Sequence, residues 1–236
     1  MSIAENVAAI KAKMAAAALA AGRDPKEIQL CAATKMNGAD AVHQAIAAGV
    51  DCCGENRVQE LTQKLSENAY EGAPVHFIGH LQTNKVKQVV GKVALIHSID
   101  SQRLLAAVNK EAEKQGIVQN VLLEINIADE ESKGGMTVEE LYRLLPEMGN
   151  YPGISVQGLM AIPPICQNPG DNDKFFQKMC NLAVDITAKK YDNVCVNILS
   201  MGMSDDYASA IANGSTMIRV GTAIFGARDY TTSHPR

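Results

Sequence analysis

The segment IQLCAATK spans residues Ile28–Lys35 and is a short apolar run that ends in a lysine. Pro25 precedes it and the turn-forming pair Asn37-Gly38 follows it, a pattern typical of a mostly buried strand with a turn behind it. Lys35 then stands where the strand leaves the core. Taken alone, this lysine is better explained as a surface side chain that reaches solvent than as a reactive amine. The rest of the chain decides between the two interpretations.

Strand-like and helix-like segments alternate along the whole chain. Before the first strand, Ser2-Ile3-Ala4-Glu5 has the form of a capping box and predicts an extra N-terminal helix that Gly22 ends. Seven further apolar runs predict strands, each separated from the next by a helical pattern. The eight predicted strands cover residues 28–34, 50–54, 75–79, 93–98, 121–127, 154–159, 194–199 and 216–220.

This alternation predicts an α/β fold, either an open doubly wound sheet or a closed barrel. Eight units in 236 residues favour the (β/α)8 TIM barrel, whose usual size is about 250 residues. The open sheet loses its main support because residues 34–38 carry no glycine-rich dinucleotide fingerprint after the first strand. We therefore predict a single-domain barrel over residues 1–230 and a C-terminal tail over residues 231–236.

Composition argues against several classes of function. The net charge is −4, and six tyrosines, four phenylalanines and no tryptophan offer no basic aromatic surface for nucleic acid. No run of about 18 apolar residues predicts a membrane span. The stretch 1–21 carries charges within its apolar pattern, unlike a secretory signal. We expect a cytoplasmic protein with neither a nucleic acid nor a membrane as partner.

The cysteines and histidines show no metal-binding pattern in the sequence. The cysteines fall mostly inside apolar runs without a C-x-x-C pair, which fits small buried thiols in a reduced compartment better than disulfides or zinc. His76, His80 and His97 have no metal-ligand spacing, and His80 is expected to be a structural hydrogen-bonding group. The six cysteines are Cys31, Cys52, Cys53, Cys166, Cys180 and Cys195.

In a (β/α)8 barrel the functional residues stand at the carboxyl ends of the strands. Closure of the barrel makes strand eight a neighbour of strand one, which brings Arg219 and Gly221-Thr222 beside Lys35. Loops after strands seven and eight commonly hold phosphate, a role that suits Ser200, Gly221 and Thr222. A lysine amine beside a phosphate site is the arrangement expected for pyridoxal phosphate (PLP).

Arg219 indicates what kind of PLP site this would be. An arginine that faces the pyridine nitrogen can only donate a hydrogen bond, so the nitrogen stays unprotonated and the ring is a weaker electron sink. The alternative for Arg219 is an ion pair at the rim. Asn56, after the second strand, completes the set of candidate cofactor-binding residues.

Seven motifs in this chain resemble those of the pyridoxal phosphate homeostasis proteins, the YggS/PROSC family. The resemblance implies a barrel similar to the N-terminal domain of alanine racemase, with Lys35 carrying PLP as an internal aldimine. It also implies that Ser200, Gly221 and Thr222 hold the phosphate and that Arg219 faces the pyridine nitrogen. The motifs are residues 33–35 (ATK), 54–56 (GEN), 76–85 (HFIGHLQTNK), 97–101 (HSIDS), 158–163 (GLMAIP), 199–206 (LSMGMSDD) and 219–226 (RVGTAIFG).

Three functions compete for such a lysine. A racemase would need a second acid/base group on the opposite face of the substrate, and no tyrosine stands at a predicted strand mouth. A class I aldolase would leave Arg219 without a purpose. We therefore expect a PLP carrier for intracellular PLP homeostasis without evident catalytic turnover, and the racemase remains the alternative. Apo-enzymes that need PLP are expected acceptors, and the protein is expected to be a monomer.

Overall fold

The computed structural model describes residues 1–130, 134–165, 168 and 170–226, and its eight strands close into a parallel barrel in chain order. Each strand pairs with the next, and β8 returns to pair with β1. The predicted (β/α)8 barrel is therefore confirmed. The strands are β1 (Gln29–Ala33), β2 (Cys52–Glu55), β3 (Val75–Phe77), β4 (Leu95–Ile99), β5 (Gln119–Glu124), β6 (Ile154–Met160), β7 (Val194–Ser200) and β8 (Met217–Val220).

Helices surround the barrel and cover its outer surface. In the described part of the chain, the short 3-10 helices Pro25–Glu27, Thr83–Gln88 and Leu145–Asn150 complete the connections. The second of them lies where the sequence predicted an α-helix between strands three and four. The α-helices are α1 (Ile3–Ala20), α2 (Ala39–Ala47), α3 (Val58–Ser66), α4 (Gln102–Gln115), α5 (Val138–Leu144), α6 (Asp173–Lys189), α7 (Tyr207–Ala212) and α8 (Thr222–Phe225).

The extra N-terminal helix is present and begins with the predicted capping box. The Ser2 hydroxyl accepts the N–H of Glu5, and the Glu5 carboxylate accepts the N–H of Ser2. Helix α1 buries Val7, Ile10 and Met14 and packs against α2, α7 and α8. It therefore covers the seam where β8 meets β1.

Two helices are capped differently from what the polar residues before them suggest. Ser101 caps α4 through its hydroxyl, which accepts the N–H of Leu104, although the carboxylate of the neighbouring Asp100 is also a residue type that caps helices. Helix α7 begins at Tyr207, and Asp206 accepts the N–H of Met203 in the preceding turn. Local sequence located these helices to within a few residues, because several neighbouring polar side chains can satisfy the same N–H groups.

Among the described residues, the apolar core divides into a layer outside the barrel and smaller clusters inside it. A large apolar layer lies between the strands and the helices. Inside the barrel, Cys31, Cys52, Ile78 and Met217 form one small cluster, and Leu95, Leu122 and Met160 form another. Alternate residues of each strand thus point inward and outward, as the pleat of a barrel strand requires.

Within the described residues, no helix is both long enough and apolar enough to cross a membrane. The boundary predicted at residues 230 and 231, and the tail 231–236, lie outside the described residues, which end at Gly226.

Gly158 provides a test of how tightly the barrel is closed between β6 and β7. Its Cα pairs with Ile198, and a Cβ added to Gly158 would lie 1.8 Å from the Ile198 carbonyl oxygen. We expect Gly158→Ala to lower the free energy of unfolding by roughly 3 kcal/mol, because backbone atoms would have to move apart. Urea denaturation measures this change.

The matched control is Gly38→Ala, because Gly38 has φ −73° and no atom lies within 4 Å of the position that a Cβ would take there. We expect this variant to lower the free energy of unfolding by less than about 1 kcal/mol, because its one cost is that alanine caps a helix less well than glycine. Equal losses in the two variants would contradict the close approach at Gly158.

Candidate functional site

Lys35 follows β1 in a sharp turn at the mouth of the barrel. Its side chain is half-buried, and the next residue, Met36, has the left-handed backbone angle φ 63°. The Asn37 side-chain amide donates to the Lys35 carbonyl oxygen at 3.0 Å. A non-glycine residue in this conformation is uncommon and needs support from its surroundings.

A buried ion pair supports the residue before Lys35. Lys64 Nζ lies 2.6 Å from the Glu55 carboxylate, and both side chains are buried. Lys64 also donates to the Thr34 carbonyl oxygen at 2.8 Å, and the Thr34 hydroxyl donates to Glu55 at 3.2 Å. The Lys64 ammonium is therefore paired with the Glu55 carboxylate, and both groups form hydrogen bonds to Thr34.

The same cluster supports the residue after Lys35. The Met36 N–H donates to the Glu60 carboxylate at 2.7 Å, and Glu60 lies 3.4 Å from Lys64 Nζ. Two glutamates and one lysine thus hold the backbone on both sides of Lys35. We define Glu55, Glu60 and Lys64 as the anchor cluster. Sequence reasoning missed it, because only the i,i+4 spacing of Glu60 and Lys64 on α3 was visible beforehand.

Arg219 lies inside the barrel and is almost fully buried. Its guanidinium donates to the Ser200 hydroxyl at 2.6 Å and to the Ala161 carbonyl oxygen at 3.0 Å. Burial lowers the pKa of Arg219, while the negative charge of Glu124 opposes that shift. Rim ion pairing, the alternative for Arg219, does not match this position.

A chain of polar side chains continues from Ser200 across the barrel. The Ser200 hydroxyl lies 3.1 Å from His97 Nδ1, and His97 Nε2 lies 3.0 Å from His76 Nδ1. Burial lowers the pKa of His76 to about 4 and lowers the pKa of His97 well below its usual value. Both rings are therefore neutral at pH 7 and add no second positive charge beside Arg219.

Glu124, at the end of β5, is a further buried acid at the mouth that the sequence did not single out. Burial raises its pKa to about 7, and the negative charge of Asp100 raises it further, whereas Arg219 lowers it. His80 is exposed, and its Nδ1 lies 3.1 Å from Asp100, in agreement with the expected hydrogen-bonding role.

The six predicted cofactor residues lie on four consecutive strands of the closed barrel or directly after them. Lys35 follows β1, Asn56 follows β2, Ser200 ends β7 and Arg219 lies in β8. Gly221 and Thr222 follow β8, where Thr222 is exposed and begins α8. Ala32 pairs with Val220, so the ends of β1 and β8 are adjacent.

The mouth of the barrel offers polar groups that can bind a small polar ligand. The first N–H groups of α8 have no acceptor within the helix, and Gly221 adds no side chain beside them. Asn56 Oδ1 is buried and has no hydrogen-bond partner among the described residues. Ser200 is fully buried beneath the mouth, and its hydroxyl accepts a hydrogen bond from Arg219. The residues present fit a phosphorylated ring with an aldehyde.

The anchor cluster yields a stability prediction. We expect Lys64→Met to lower the free energy of unfolding by about 3–5 kcal/mol, because the Glu55 carboxylate would stay buried without its cation. Urea denaturation at pH 7 measures this loss. The control is the double variant Lys64→Met with Glu55→Gln, which removes the uncompensated charge and should recover much of the stability. A single variant as stable as the unmodified chain would contradict the role of the ion pair.

Comparison with known proteins places the chain in a family. The family model "Alanine racemase, N-terminal domain" matches residues 2–229. A pyridoxal phosphate homeostasis protein of Escherichia coli is 41% identical over 232 residues, covering 97% of this chain and 98% of the relative. A protein of the same name from Aquifex aeolicus is 40% identical over 230 residues, covering 98% and 100%.

Solved structures agree with this assignment. PipY of Synechococcus elongatus, solved with PLP bound, is 30% identical with a TM-score of 0.82, covering 95% of this chain and 100% of PipY. An alanine racemase of Clostridium difficile has a TM-score of 0.66 at 15% identity, covering 96% of this chain and 58% of the racemase, and so shares the barrel fold. The chain belongs to the pyridoxal phosphate homeostasis protein family, within the alanine racemase N-terminal domain group.

Proposed function

We propose that this chain binds PLP at the mouth of the barrel and holds it for intracellular PLP homeostasis, without catalytic turnover. The main supporting observation is the pairing of β1 with β8, which sets Lys35 beside Gly221-Thr222 above the buried Arg219. Relatives about 40% identical over their full length carry this function in their names, and PipY binds PLP.

Each residue has a distinct role in this proposal. The Lys35 amine forms a Schiff base with the cofactor aldehyde, and water leaves. Backbone N–H groups near Gly221, together with the Thr222 and Ser200 hydroxyls, hold the phosphate. PLP supplies an aldehyde and an electron-withdrawing ring when bound.

Arg219 supports storage over catalysis. A guanidinium has no acceptor atom, so it can hydrogen-bond only to an unprotonated pyridine nitrogen, which leaves the ring a weak electron sink. Ser200 and the Ala161 carbonyl oxygen hold Arg219 in place. Asn56, whose Oδ1 lacks a partner among the described residues, is a further contact for the bound cofactor.

The proposal also includes the cellular compartment of the protein and the proteins that receive PLP from it. The thiols of Cys31, Cys52, Cys53, Cys180 and Cys195 are free, which suits a reducing compartment such as the cytoplasm. We propose a monomer that passes PLP to apo-enzymes, because a carrier needs an accessible mouth and half-buried Lys35 lies at it.

The role of Lys35 is tested by chemical trapping of the bound PLP. Borohydride reduction of the chain loaded with one equivalent of PLP, followed by peptide mass mapping, should find the added pyridoxyl mass on the peptide that contains Lys35. Lys35→Ala should lose that label, while Lys87→Ala, on an exposed lysine of a 3-10 helix, should keep it. A label mainly on another lysine of the unmodified chain would refute the assignment.

Arg219 is tested by charge reversal. We expect Arg219→Glu to shift the absorbance of bound PLP and to raise side reactions with added amino acids at least about tenfold, because a carboxylate favours a protonated pyridine nitrogen. Arg219→Lys keeps the positive charge and should retain the original spectrum. Circular dichroism checks that both variants are folded.

An unchanged spectrum and unchanged reactivity in folded Arg219→Glu would mean that Arg219 is not at the ring.

The racemase alternative is tested in the same samples. Rapid racemisation of an amino acid by the unmodified chain, free of contaminating racemase, would overturn the carrier function.

A further inference from the structure

Two cysteines and a histidine meet inside the barrel. None of them is among the six cofactor residues, although Cys31 pairs with Arg219 across β1 and β8. One potential ligand atom from each of Cys31, Cys52 and His76 lies within 4.8 Å of the other two. These residues belong to β1, β2 and β3, three consecutive strands of the closed sheet. The PLP proposal gives none of them a role.

The strand register explains how they come together. Cys31 and Cys52 are direct partners across the β1–β2 pair, and His76 is the partner of Gly54 across the β2–β3 pair. Gly54 leaves the space that the Cys31 sulfur occupies, because a Cβ on Gly54 would lie 2.8 Å from Cys31 Sγ. The glycine thereby allows the two cysteines and the histidine to share one layer of the interior.

This group is buried, and apolar side chains pack against its two cysteines. The exposed fractions of Cys31, Cys52 and His76 are 0%, 2% and 7%. Ile78 and Met217 pack against the two cysteines. Buried thiols alone are ordinary small hydrophobic groups, but an imidazole nitrogen within 4.8 Å of both sulfurs completes a ligand set of two sulfurs and one nitrogen.

That ligand set selects a class of metal. Thiolate and imidazole suit zinc, whereas magnesium and calcium prefer oxygen ligands. Two thiolates, a neutral imidazole and Zn²⁺ carry no net charge together, which is the least costly state in an apolar interior.

The neighbouring His97 supplies the outer contact that such a site needs. His97 lies 3.0 Å from a ring nitrogen of His76. Histidines that bind metals commonly use their other ring nitrogen for a hydrogen bond that fixes the ring orientation. The polar chain from His97 to Ser200 therefore holds His76 in place whether or not a metal is bound.

We propose that Cys31, Cys52 and His76 form a buried Zn²⁺ site, with one water molecule enclosed beside the metal as its fourth ligand. Zn–S and Zn–N bonds of about 2.3 and 2.0 Å require ligand atoms roughly 3.5–3.8 Å apart, so the side chains close in by no more than about 1 Å when zinc binds. Binding releases the two thiol protons to solvent as both sulfurs become thiolates. Because the group is buried, zinc enters as the chain folds.

The test measures metal content. The full chain is expressed in zinc-supplemented medium, purified without chelators and analysed by mass spectrometry for zinc. We expect about one zinc per chain, and a loss of at least about tenfold in Cys31→Ser and in Cys52→Ser. Cys53→Ser is the matched control, because Cys53 is also buried on β2 but belongs to the outer apolar layer.

A second measurement does not depend on how well the serine variants fold. The unmodified chain, refolded without PLP in the presence of Co²⁺, should show the thiolate-to-cobalt absorption band, and Zn²⁺ should abolish it. Cys53→Ser should behave in the same way. A zinc-free chain after both expression and refolding with zinc, or equal zinc in folded Cys52→Ser and Cys53→Ser, would overturn the proposal.

Discussion

The pairing of β8 with β1 is the constraint on which the rest of this structure depends. It places Ala32 opposite Val220 and Cys31 opposite Arg219, although these residues are almost 190 positions apart in sequence. Closure satisfies the backbone hydrogen bonds of both edge strands and removes the open sheet edges. It also brings the turn that carries Lys35 to the loop that begins α8, so one structural event completes both the barrel and the site.

Buried charged side chains lie on two sides of the site. Beneath the mouth, Arg219 is paired with a hydroxyl and a carbonyl oxygen, and the two histidines beyond Ser200 are neutral. Behind Lys35, Lys64 and Glu55 neutralise each other within the protein. Burial of such charges costs more desolvation free energy than their attraction returns, unless every polar atom has a hydrogen-bond partner. Here the buried charges also hold the backbone in a fixed position. The backbone on both sides of Lys35 is thereby fixed while its side chain lies half-buried at the opening.

Sequence patterns predicted the barrel well because each strand and helix has a local signature. The capping box at Ser2 is present as expected, and all eight strands were located to within a few residues. The anchor cluster and Glu124 were missed because burial, not residue type, gives them their importance. The grouping of Cys31, Cys52 and His76 was missed for a related reason. Its members come from three strands, and their spacing along the chain resembles no known metal motif.

By itself, the sequence determined the order and type of the elements, the likeness to a PLP-binding family and the candidate residues at the strand ends. These depend on periodicity and short motifs, which are properties of neighbouring residues. Only the tertiary structure decided that Arg219 is buried against Ser200, that Lys64 supports the backbone before Lys35, and that Asn56 Oδ1 is buried without a partner in the described part of the chain. Such relations arise from register and closure between distant strands, where a shift of one residue would turn each side chain to the other face.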